Sequence, residues 1–281
     1  MELTNIKTIT SLLEKHGFEF KKSLGQNFLI NPSVCPKMAS LSGADENTAV
    51  LEIGPGIGVL TKELCKVAKK VVAVEIDPRL PALLKETLSE YDNLTVISGD
   101  ILKTDLYKLF EEHFKGMRVV VCANLPYYIT SPVIMGLLEA RLPIDSITVM
   151  VQKEAAQRIS ALPGTRECGA ISVSIRYYCS PQKGFSVSRG SFMPSPNVDS
   201  EVIKLNINKE PPIKIKSEEA FFKTVKAAFS MRRKTILNCL KNGFAMSKEE
   251  LTDILEKAGV SPTARAEQLT LEDFGRISDL F

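Results

Sequence analysis

The sequence Ala49-Val50-Leu51-Glu52-Ile53-Gly54-Pro55-Gly56-Ile57-Gly58 begins with an apolar run and ends in a loop that carries three glycines. An apolar run of this length is typical of a buried strand. Val59, Leu60 and Leu64 follow at helical spacing, and Val71-Val72-Ala73-Val74-Glu75 is a second apolar run. Strand, glycine loop, helix and strand in this order predict a parallel sheet of the α/β class.

The same alternation continues along the chain. Apolar runs predict further strands at residues 94–97, 119–123 and 146–151, and a last one at 202–205. Amphipathic segments between them predict helices on both faces of a Rossmann-like sheet with five parallel strands. Helices are also expected at residues 5–16 and from residue 31 onward. Residues 170–178 fit both periods, because Ile171, Val173 and Ile175 alternate while Ile171, Ile175 and Tyr178 have helical spacing.

Paired prolines at Pro211-Pro212 interrupt both helix and strand and mark a domain boundary. Beyond them only helical patterns occur, at residues 220–229, 233–240, 248–258 and 271–280. The prediction is an α/β domain over residues 1–208 and a small all-helical domain over residues 209–281.

The composition of the 281 residues, 44% hydrophobic and 25% charged, is typical of a globular protein. No apolar run approaches the roughly 20 residues that cross a bilayer, and the N-terminus lacks a basic region followed by an apolar one. We therefore expect a cytoplasmic protein with no membrane partner. Six scattered cysteines without a Cys-x-x-Cys pair, and only two histidines, favour reduced thiols and no metal site.

The glycine loop and Glu75 predict a nucleoside cofactor. Glycines let the backbone approach a ligand closely, and the first turn of the following helix offers unpaired N–H groups. Glu75 ends the second strand about twenty residues later, where a carboxylate accepts hydrogen bonds from ribose hydroxyls. Asp100 follows the third strand, where it can accept from an adenine amine or simply cap a turn. The spacing is G-x-G-x-G, which differs from the dinucleotide pattern G-x-G-x-x-G.

Asn124-Leu125-Pro126-Tyr127 follows the fourth predicted strand. Its amide can accept from an amine, proline fixes the backbone near two carbonyls, and the tyrosine ring can stack on a flat base. Because ligands bind at the carboxyl ends of strands in open α/β sheets, this motif is expected to meet the cofactor. It suits a planar substrate that bears an amino group.

A basic segment lies between residues 213 and 243 of the helical region. It contains eight basic and two acidic residues, a local charge of +6 that includes Arg232, Arg233 and Lys234. Such a segment is a candidate phosphate-binding face, although any one of these charges could belong to a solvated helix face.

Together these motifs resemble the S-adenosylmethionine-dependent adenine-N6 methyltransferases, and the chain is similar over nearly its full length to the KsgA-type family of small-subunit (16S) ribosomal RNA adenine dimethyltransferases. The most specific similarities are the stretches Phe192-Met193-Pro194-Ser195-Pro196-Asn197-Val198-Asp199-Ser200, Arg232-Arg233-Lys234-Thr235 and Arg265-Ala266-Glu267-Gln268-Leu269. Leu24-Gly25-Gln26-Asn27-Phe28-Leu29 is a further match. The resemblance implies the class I methyltransferase form of the Rossmann-like sheet.

The resemblance also implies roles for individual residues. The protein would bind the methionine and sulfonium end, the ribose and the adenine of the cofactor S-adenosylmethionine. The residues implied in these contacts are Gln26, Asn27, Leu29, Gly54, Gly56, Glu75, Ile76, Asp100, Ile101 and Asn124. Asn124, Leu125, Pro126 and Tyr127 would hold the target adenine, with Phe192 as the second stacking ring. Arg232, Arg233 and Lys234 would bind RNA.

The implied substrate is two adjacent adenines in the 3′-terminal hairpin of small-subunit ribosomal RNA, within an immature 30S particle, and a monomer is expected. The nearest alternative is a resistance-type methyltransferase acting on large-subunit RNA; Leu125, Tyr128 and the stretch from Phe192 to Ser200 favour the small-subunit family. A dinucleotide-dependent oxidoreductase is disfavoured by the glycine spacing. A role in assembly without catalysis is the third alternative, and it has no support from the intact motifs.

Overall fold

The computed structural model describes residues 1–18 and 26–281. The chain divides into two compact units. The first comprises Met1–Ala156 and Gln182–Ile207, and the second comprises Gln157–Pro181 and Asn208–Phe281. Each unit therefore draws on two separate stretches of the chain.

A seven-stranded sheet is the centre of the first unit, in the order β4-β3-β2-β5-β6-β9-β7. Its strands are β2 (Thr48–Ile53), β3 (Lys70–Glu75), β4 (Leu94–Ser98), β5 (Arg118–Asn124), β6 (Ile144–Gln152), β7 (Cys179–Val187) and β9 (Ser200–Ile207). A separate two-stranded sheet pairs β1 (Phe28–Leu29) with β8 (Phe192–Met193). The five predicted parallel strands are confirmed, since β4, β3, β2, β5 and β6 pair in parallel, whereas β9 joins β6 antiparallel.

Helices alternate with these strands as the sequence predicts. Those in the first two hundred residues are α1 (Ile6–Lys15), α2 (Val34–Ser42), α3 (Val59–Val67), α4 (Leu80–Thr87), α5 (Leu106–His113), α6 (Thr130–Glu139), α7 (Lys153–Ser160) and α8 (Ala170–Tyr178). The later ones are α9 (Glu218–Ala228), α10 (Ile236–Gly243), α11 (Lys248–Lys257) and α12 (Leu271–Ser278). In the described residues no group of three or more His, Cys, Asp and Glu side chains could hold a metal ion, and no helix has the length and apolar character of a membrane span.

The register of the parallel strands positions the ligand-binding edge. Leu51 of β2 pairs with Val72 of β3 and with Val121 of β5, and all three are fully buried. Strands buried on both faces read as continuous apolar runs, which is why the sequence reveals them. The strand order reverses between β2 and β5, and the carboxyl ends on either side of that reversal open toward the same crevice.

The structure decides one alternative that the sequence left open and adds two features that the sequence analysis did not contain. Residues 170–178 form a helix, and six of its nine residues are buried, which hides its period. Strand β7 escaped prediction because Pro181 and Gly184 lie within it; its place at the end of the sheet order tolerates a proline. The boundary near residue 208 coincides with one end of the second unit, but residues 157–181 also belong to that unit.

Packing of α8 against α9 explains this difference. Tyr177 lies 5.1 Å from Phe221 and 5.4 Å from Phe222, centroid to centroid. The Tyr177 hydroxyl donates to Glu218 Oε1 at 2.9 Å. Aromatic pairs at these distances add stability beyond the area that they bury, so they hold α8 on the helical unit.

Candidate active site

The carboxyl ends of β2, β3, β4 and β5 open into one cleft of about 300 Å³. Every residue predicted to bind the cofactor or the target base lies on its wall. They are Gln26, Asn27, Leu29, Gly54, Gly56, Glu75, Ile76, Asp100, Ile101, Asn124, Leu125, Pro126, Tyr127 and Phe192. The structure thus brings these residues together, while their individual roles stay predictions. Leu24 and Gly25 of the same motif lie outside the described residues.

The glycine loop lines the cleft with backbone that carries no side chain at Gly54 and Gly56. Gly54 and Gly56 have φ values of +70° and +60°, a region that side chains disfavour. The Gly56 N–H donates to Glu75 Oε2 at 3.2 Å. A Cβ on Gly56 would lie 3.4 Å from the Phe28 ring, so glycine also permits close packing against β1.

Glu75 ends β3 and is buried at the floor of the cleft, 4% exposed. Its Oε1 accepts from the Asp77 N–H at 2.8 Å, and its other oxygen accepts from Gly56. Burial raises the pKa of this carboxyl, while the two backbone donors oppose the shift. Each oxygen retains a lone pair that can accept from a hydroxyl, the donor that a ribose offers.

Asp77 is a buried residue of the cleft region that the sequence prediction missed. Gln26 Nε2 donates to Asp77 Oδ2 at 2.9 Å, and Arg79 Nε donates to Asp77 Oδ1 at 2.8 Å. The hydrogen bonds from Arg79 lower the pKa of Asp77 to about 2. Asp77 thereby ties the predicted cofactor residue Gln26 to the loop after β3. The signal in the sequence was Asp77-Pro78 ahead of a helix, a pattern typical of a turn.

Asp100 follows β4, and its side chain both caps a turn and lines the cleft. Its Oδ1 accepts from the Leu102 N–H at 3.0 Å, as expected for a residue that caps a turn. Its side chain also lines the cleft beside Ile101. Capping occupies one carboxylate oxygen with one donor, so Asp100 keeps acceptor capacity toward a ligand amine.

Asn124 is the last residue of β5, and its side chain makes no hydrogen bond to the described part of the chain. Pro126 has φ −55° and ψ 133°, and its carbonyl accepts from the Ile129 N–H at 3.1 Å. The Leu125 carbonyl accepts nothing from the described residues. The strand end therefore presents two unoccupied acceptors, the Asn124 amide oxygen and the Leu125 carbonyl.

Tyr127 is fixed by a hydrogen bond of 2.8 Å between its hydroxyl and Ser200 Oγ. Ser200 begins β9 and is fully buried. Burial raises the pKa of the Tyr127 phenol, so the hydroxyl remains protonated at neutral pH. Ser200 belongs to the family-specific stretch, but the sequence did not indicate that it holds Tyr127.

Phe192 lies in β8 opposite Leu29 of β1 and is 4% exposed. It packs in a hydrophobic cluster that also contains Leu29, Cys35 and Val187. The ring borders the cleft, yet most of its surface is already in contact with the core. Its predicted part in stacking a base stays a prediction.

Glu52 is a buried carboxyl whose surroundings show whether the cleft suits a cationic cofactor. It is 1% exposed at the cleft wall, and neither carboxylate oxygen has a hydrogen-bond partner among residues 1–18 and 26–281. Burial raises its pKa to about 8, although the Thr61 hydroxyl nearby acts to lower it. A buried acid of this kind is stabilised by a cationic ligand. Together, Glu52, Glu75 and Asp100 form a set of carboxylate acceptors that fits S-adenosylmethionine, which carries an ammonium, a sulfonium, a ribose and an adenine.

The predicted RNA-binding residues Arg232, Arg233 and Lys234 lie in the second unit, in a turn just before α10 rather than on the helix. All three are exposed and form no ion pair with described residues. The Ile236 N–H, at the start of α10, donates to the Ala264 carbonyl at 2.7 Å. The segment before Arg265 thus fixes the backbone that follows the basic cluster.

Residues 17–281 match the family model described as ribosomal RNA adenine dimethylase. The ribosomal RNA small subunit methyltransferase A of Geobacillus sp. (strain WCH70) is 48% identical over 273 residues, covering 95% of this chain and 94% of the relative. The protein of the same name from Lysinibacillus sphaericus (strain C3-41) is 47% identical and covers 98% of this chain and 95% of its own.

Two solved transferase structures have the same architecture. A dimethyladenosine transferase from Plasmodium falciparum superimposes with a TM-score of 0.73 at 30% identity, covering 89% of this chain and 95% of that one. The 23S ribosomal RNA methyltransferase ErmE has a TM-score of 0.69 at 27% identity, covering 90% and 99%. By family model, sequence identity and fold, the chain belongs to the ribosomal RNA adenine dimethylase family.

Proposed function

We propose that the chain transfers methyl groups from S-adenosylmethionine to N6 of two adjacent adenines in the 3′-terminal hairpin of small-subunit ribosomal RNA, giving N6,N6-dimethyladenines. Its substrate is the immature 30S particle in the cytoplasm, and it acts as a monomer during ribosome biogenesis. The observation that carries the proposal is the position of Asn124-Leu125-Pro126-Tyr127 in the same cleft as Glu75 and Asp100. The small-subunit names of the relatives near 48% identity support the choice of RNA.

Cofactor binding is the task of the strand ends β2 to β4. S-adenosylmethionine supplies the electrophilic methyl group. Glu75 accepts from the ribose hydroxyls, Asp100 and the Ile101 backbone contact the adenine, and Gly54 leaves room for the methionine end. Gln26 closes this edge of the cleft through its hydrogen bond to Asp77.

The amine to be methylated is a weak nucleophile, because its lone pair is delocalised into the adenine ring. In the first transfer, the Asn124 amide oxygen and the Leu125 carbonyl accept hydrogen bonds from its two N–H groups; S-adenosylhomocysteine is the leaving group, and the methylated nitrogen loses one proton to water. The Pro126 carbonyl is less suited, since Ile129 already donates to it. Holding both hydrogens directs the nitrogen lone pair out of the ring plane, so orientation and electrostatics supply most of the acceleration.

Access to N6 requires the base to leave its stack. Tyr127 stacks on one face of the extruded base, and its hydroxyl is held in place by Ser200. Phe192 also lines the cleft, and its proposed role is to stack on the other face of the base. The turn with Arg232, Arg233 and Lys234 binds the RNA backbone, because three exposed cations without carboxylate partners attract phosphates.

The test is mass spectrometry of RNA after incubation with purified protein and S-adenosylmethionine. Undermethylated 30S particles should acquire two N6,N6-dimethyladenines in the 3′-terminal hairpin. Failure to methylate 30S particles at any assembly stage would contradict the proposal.

A second candidate is methylation of 23S RNA, which the structural likeness to ErmE favours. The same assay on protein-free 23S RNA distinguishes the two. Methylation of 23S RNA without modification of 30S particles would establish this alternative.

A further inference from the structure

Tyr128 is an aromatic residue of the cleft that neither cofactor binding nor the target-base pocket uses. Its ring is 57% exposed, although its neighbour Tyr127 is half buried and bonded to Ser200. Within the described chain, the Tyr128 hydroxyl makes no hydrogen bond and no aromatic ring packs on it. Adjacent tyrosines of the same turn therefore differ in kind: one ring is fixed inward and the other is open to solvent.

The backbone enforces this difference. Residues Tyr127–Ile129 form a 3₁₀ turn, which the hydrogen bond from Ile129 N–H to the Pro126 carbonyl closes. Consecutive side chains on such a turn point in directions about 120° apart. Because the Tyr127 hydroxyl is hydrogen-bonded to Ser200, the Tyr128 side chain cannot also point into the core.

Two further apolar side chains are exposed on the same cleft. Ile76, directly after β3, is 45% exposed, and Leu102, two residues after Asp100, is 48% exposed. An isolated exposed apolar residue is ordinary, but a group around the mouth of a cleft marks a surface that a ligand covers. Of these three side chains, only Tyr128 offers a flat ring, and it adjoins the residues that hold the target base.

We infer that Tyr128 forms a second base-binding subsite, which stacks the nucleobase next to the target adenine in the RNA chain. The inference rests on the proposed function, since it needs an extruded adenine between Tyr127 and Phe192. Extrusion separates the target from its neighbours and leaves a face of each neighbouring base unstacked. A tyrosine ring at the mouth of the pocket replaces that lost stack, and base–aromatic stacking tolerates any base.

The first test measures stacking directly. 2-Aminopurine is placed in the 3′-terminal hairpin of reconstituted 30S particles, on the 5′ side of the target adenine in one substrate and on the 3′ side in another. Its emission falls when it stacks, and the chain has no tryptophan to interfere. Wild-type protein and Tyr128→Phe should quench one of the two positions, whereas Tyr128→Leu should quench neither.

Tyr107→Leu is the matched control, because Tyr107 on α5 is 64% exposed and does not line the cleft. It should quench as the wild type does. S-adenosylmethionine affinity, measured on each variant, should equal that of the wild type and so verifies folding. Equal quenching by Tyr128→Leu and the wild type at both positions would overturn the inference.

The second test links stacking to turnover. We expect Tyr128→Leu to lower kcat/KM for the RNA about ten-fold. With an abasic nucleotide at the quenched position, wild type and Tyr128→Leu should become equal, because the partner base is gone. A persistent ten-fold difference on the abasic RNA would show that Tyr128 acts otherwise. If the wild type methylates no adenine in these hairpins or in 30S particles, the proposed function fails instead, so the two failures are distinguishable.

Discussion

Substitutions at Asn124 and Glu75 are expected to affect different functions, methyl transfer and cofactor binding respectively. Asn124 ends β5 with a side chain that makes no hydrogen bond to described residues, so it is available to the substrate amine. Replacing it by alanine should lower the rate of methyl transfer about 100-fold or more, the usual cost of removing one oriented polar group. The affinity of this variant for S-adenosylmethionine should fall far less than its transfer rate, because the other predicted cofactor contacts remain. Single-turnover kinetics and calorimetric titration measure the two quantities.

Glu75→Ala should show the opposite pattern. The variant loses the acceptor for the ribose and also the partner of the Gly56 N–H, so the cofactor should bind at least ten-fold more weakly. At saturating cofactor the transfer rate should recover. Full turnover by Asn124→Ala would show that the Asn124 amide does not hold the substrate amine, irrespective of the result for Glu75→Ala.

Glu52 predicts a pH dependence of stability. Its pKa is about 8 in the folded protein and near the ordinary 4.5 when unfolded. Between these values the folded state binds the extra proton, so the free energy of unfolding falls as pH rises, by up to about 1.4 kcal/mol per pH unit. Glu52→Gln cannot ionise and should lose this decline. Its unfolding temperature, measured without cofactor, should therefore exceed that of the wild type at pH about 9.

Glu46→Gln serves as the control, because Glu46 is exposed in the loop before β2. Its pH profile should follow that of the wild type. Identical profiles for Glu52→Gln and the wild type would mean that Glu52 is ionised or partnered in solution.

Between elements, one hydrogen bond connects the turn after β5 to β9. Tyr127→Phe and Ser200→Ala each remove the 2.8 Å contact and should lower the transfer rate about three- to ten-fold, since a neutral hydrogen bond contributes roughly 0.5 to 1.5 kcal/mol. The double variant should be no slower than either single one, because both act through the same contact. Single-turnover rates at saturating cofactor complete the cycle; additive losses would show that Tyr127 is oriented by something else.

Elements with one strong pattern were predictable from the sequence, and those shaped by distant contacts were not. Strands β2, β3 and β5 are buried on both faces, so their apolar runs are unmistakable. Helix α8 has six of its nine residues buried, with partners such as Phe221, which hides its period. The cleft followed the same rule. Strand-end residues were predictable, whereas Asp77, Glu52 and Ser200 gained their significance only from partners or surroundings that the fold supplies.

Across the whole molecule, the second unit is discontinuous in sequence because α8 joins the C-terminal helices. Prolines mark where the chain leaves the sheet at residue 208, but no local signal marks the earlier excursion at residues 157–181. The Tyr177 ring on Phe221, and the Tyr177 hydroxyl on Glu218, join segments more than forty residues apart. Such contacts follow from packing and not from local propensity.

The basic turn of the second unit should govern the salt dependence of RNA binding. Each phosphate contact contributes about 0.7 to 0.9 to the slope of log affinity against log salt concentration. Neutralising Arg232, Arg233 and Lys234 to glutamine should therefore reduce that slope by about 2 to 3 and weaken binding to 30S particles most at low salt. S-adenosylmethionine affinity should be unchanged.

A control with Lys85, Lys108 and Lys115 of the first unit changed to glutamine alters the net charge equally and should retain the wild-type slope. If both triple variants lose the same slope, the RNA responds to overall charge, and the turn before α10 is not its binding site.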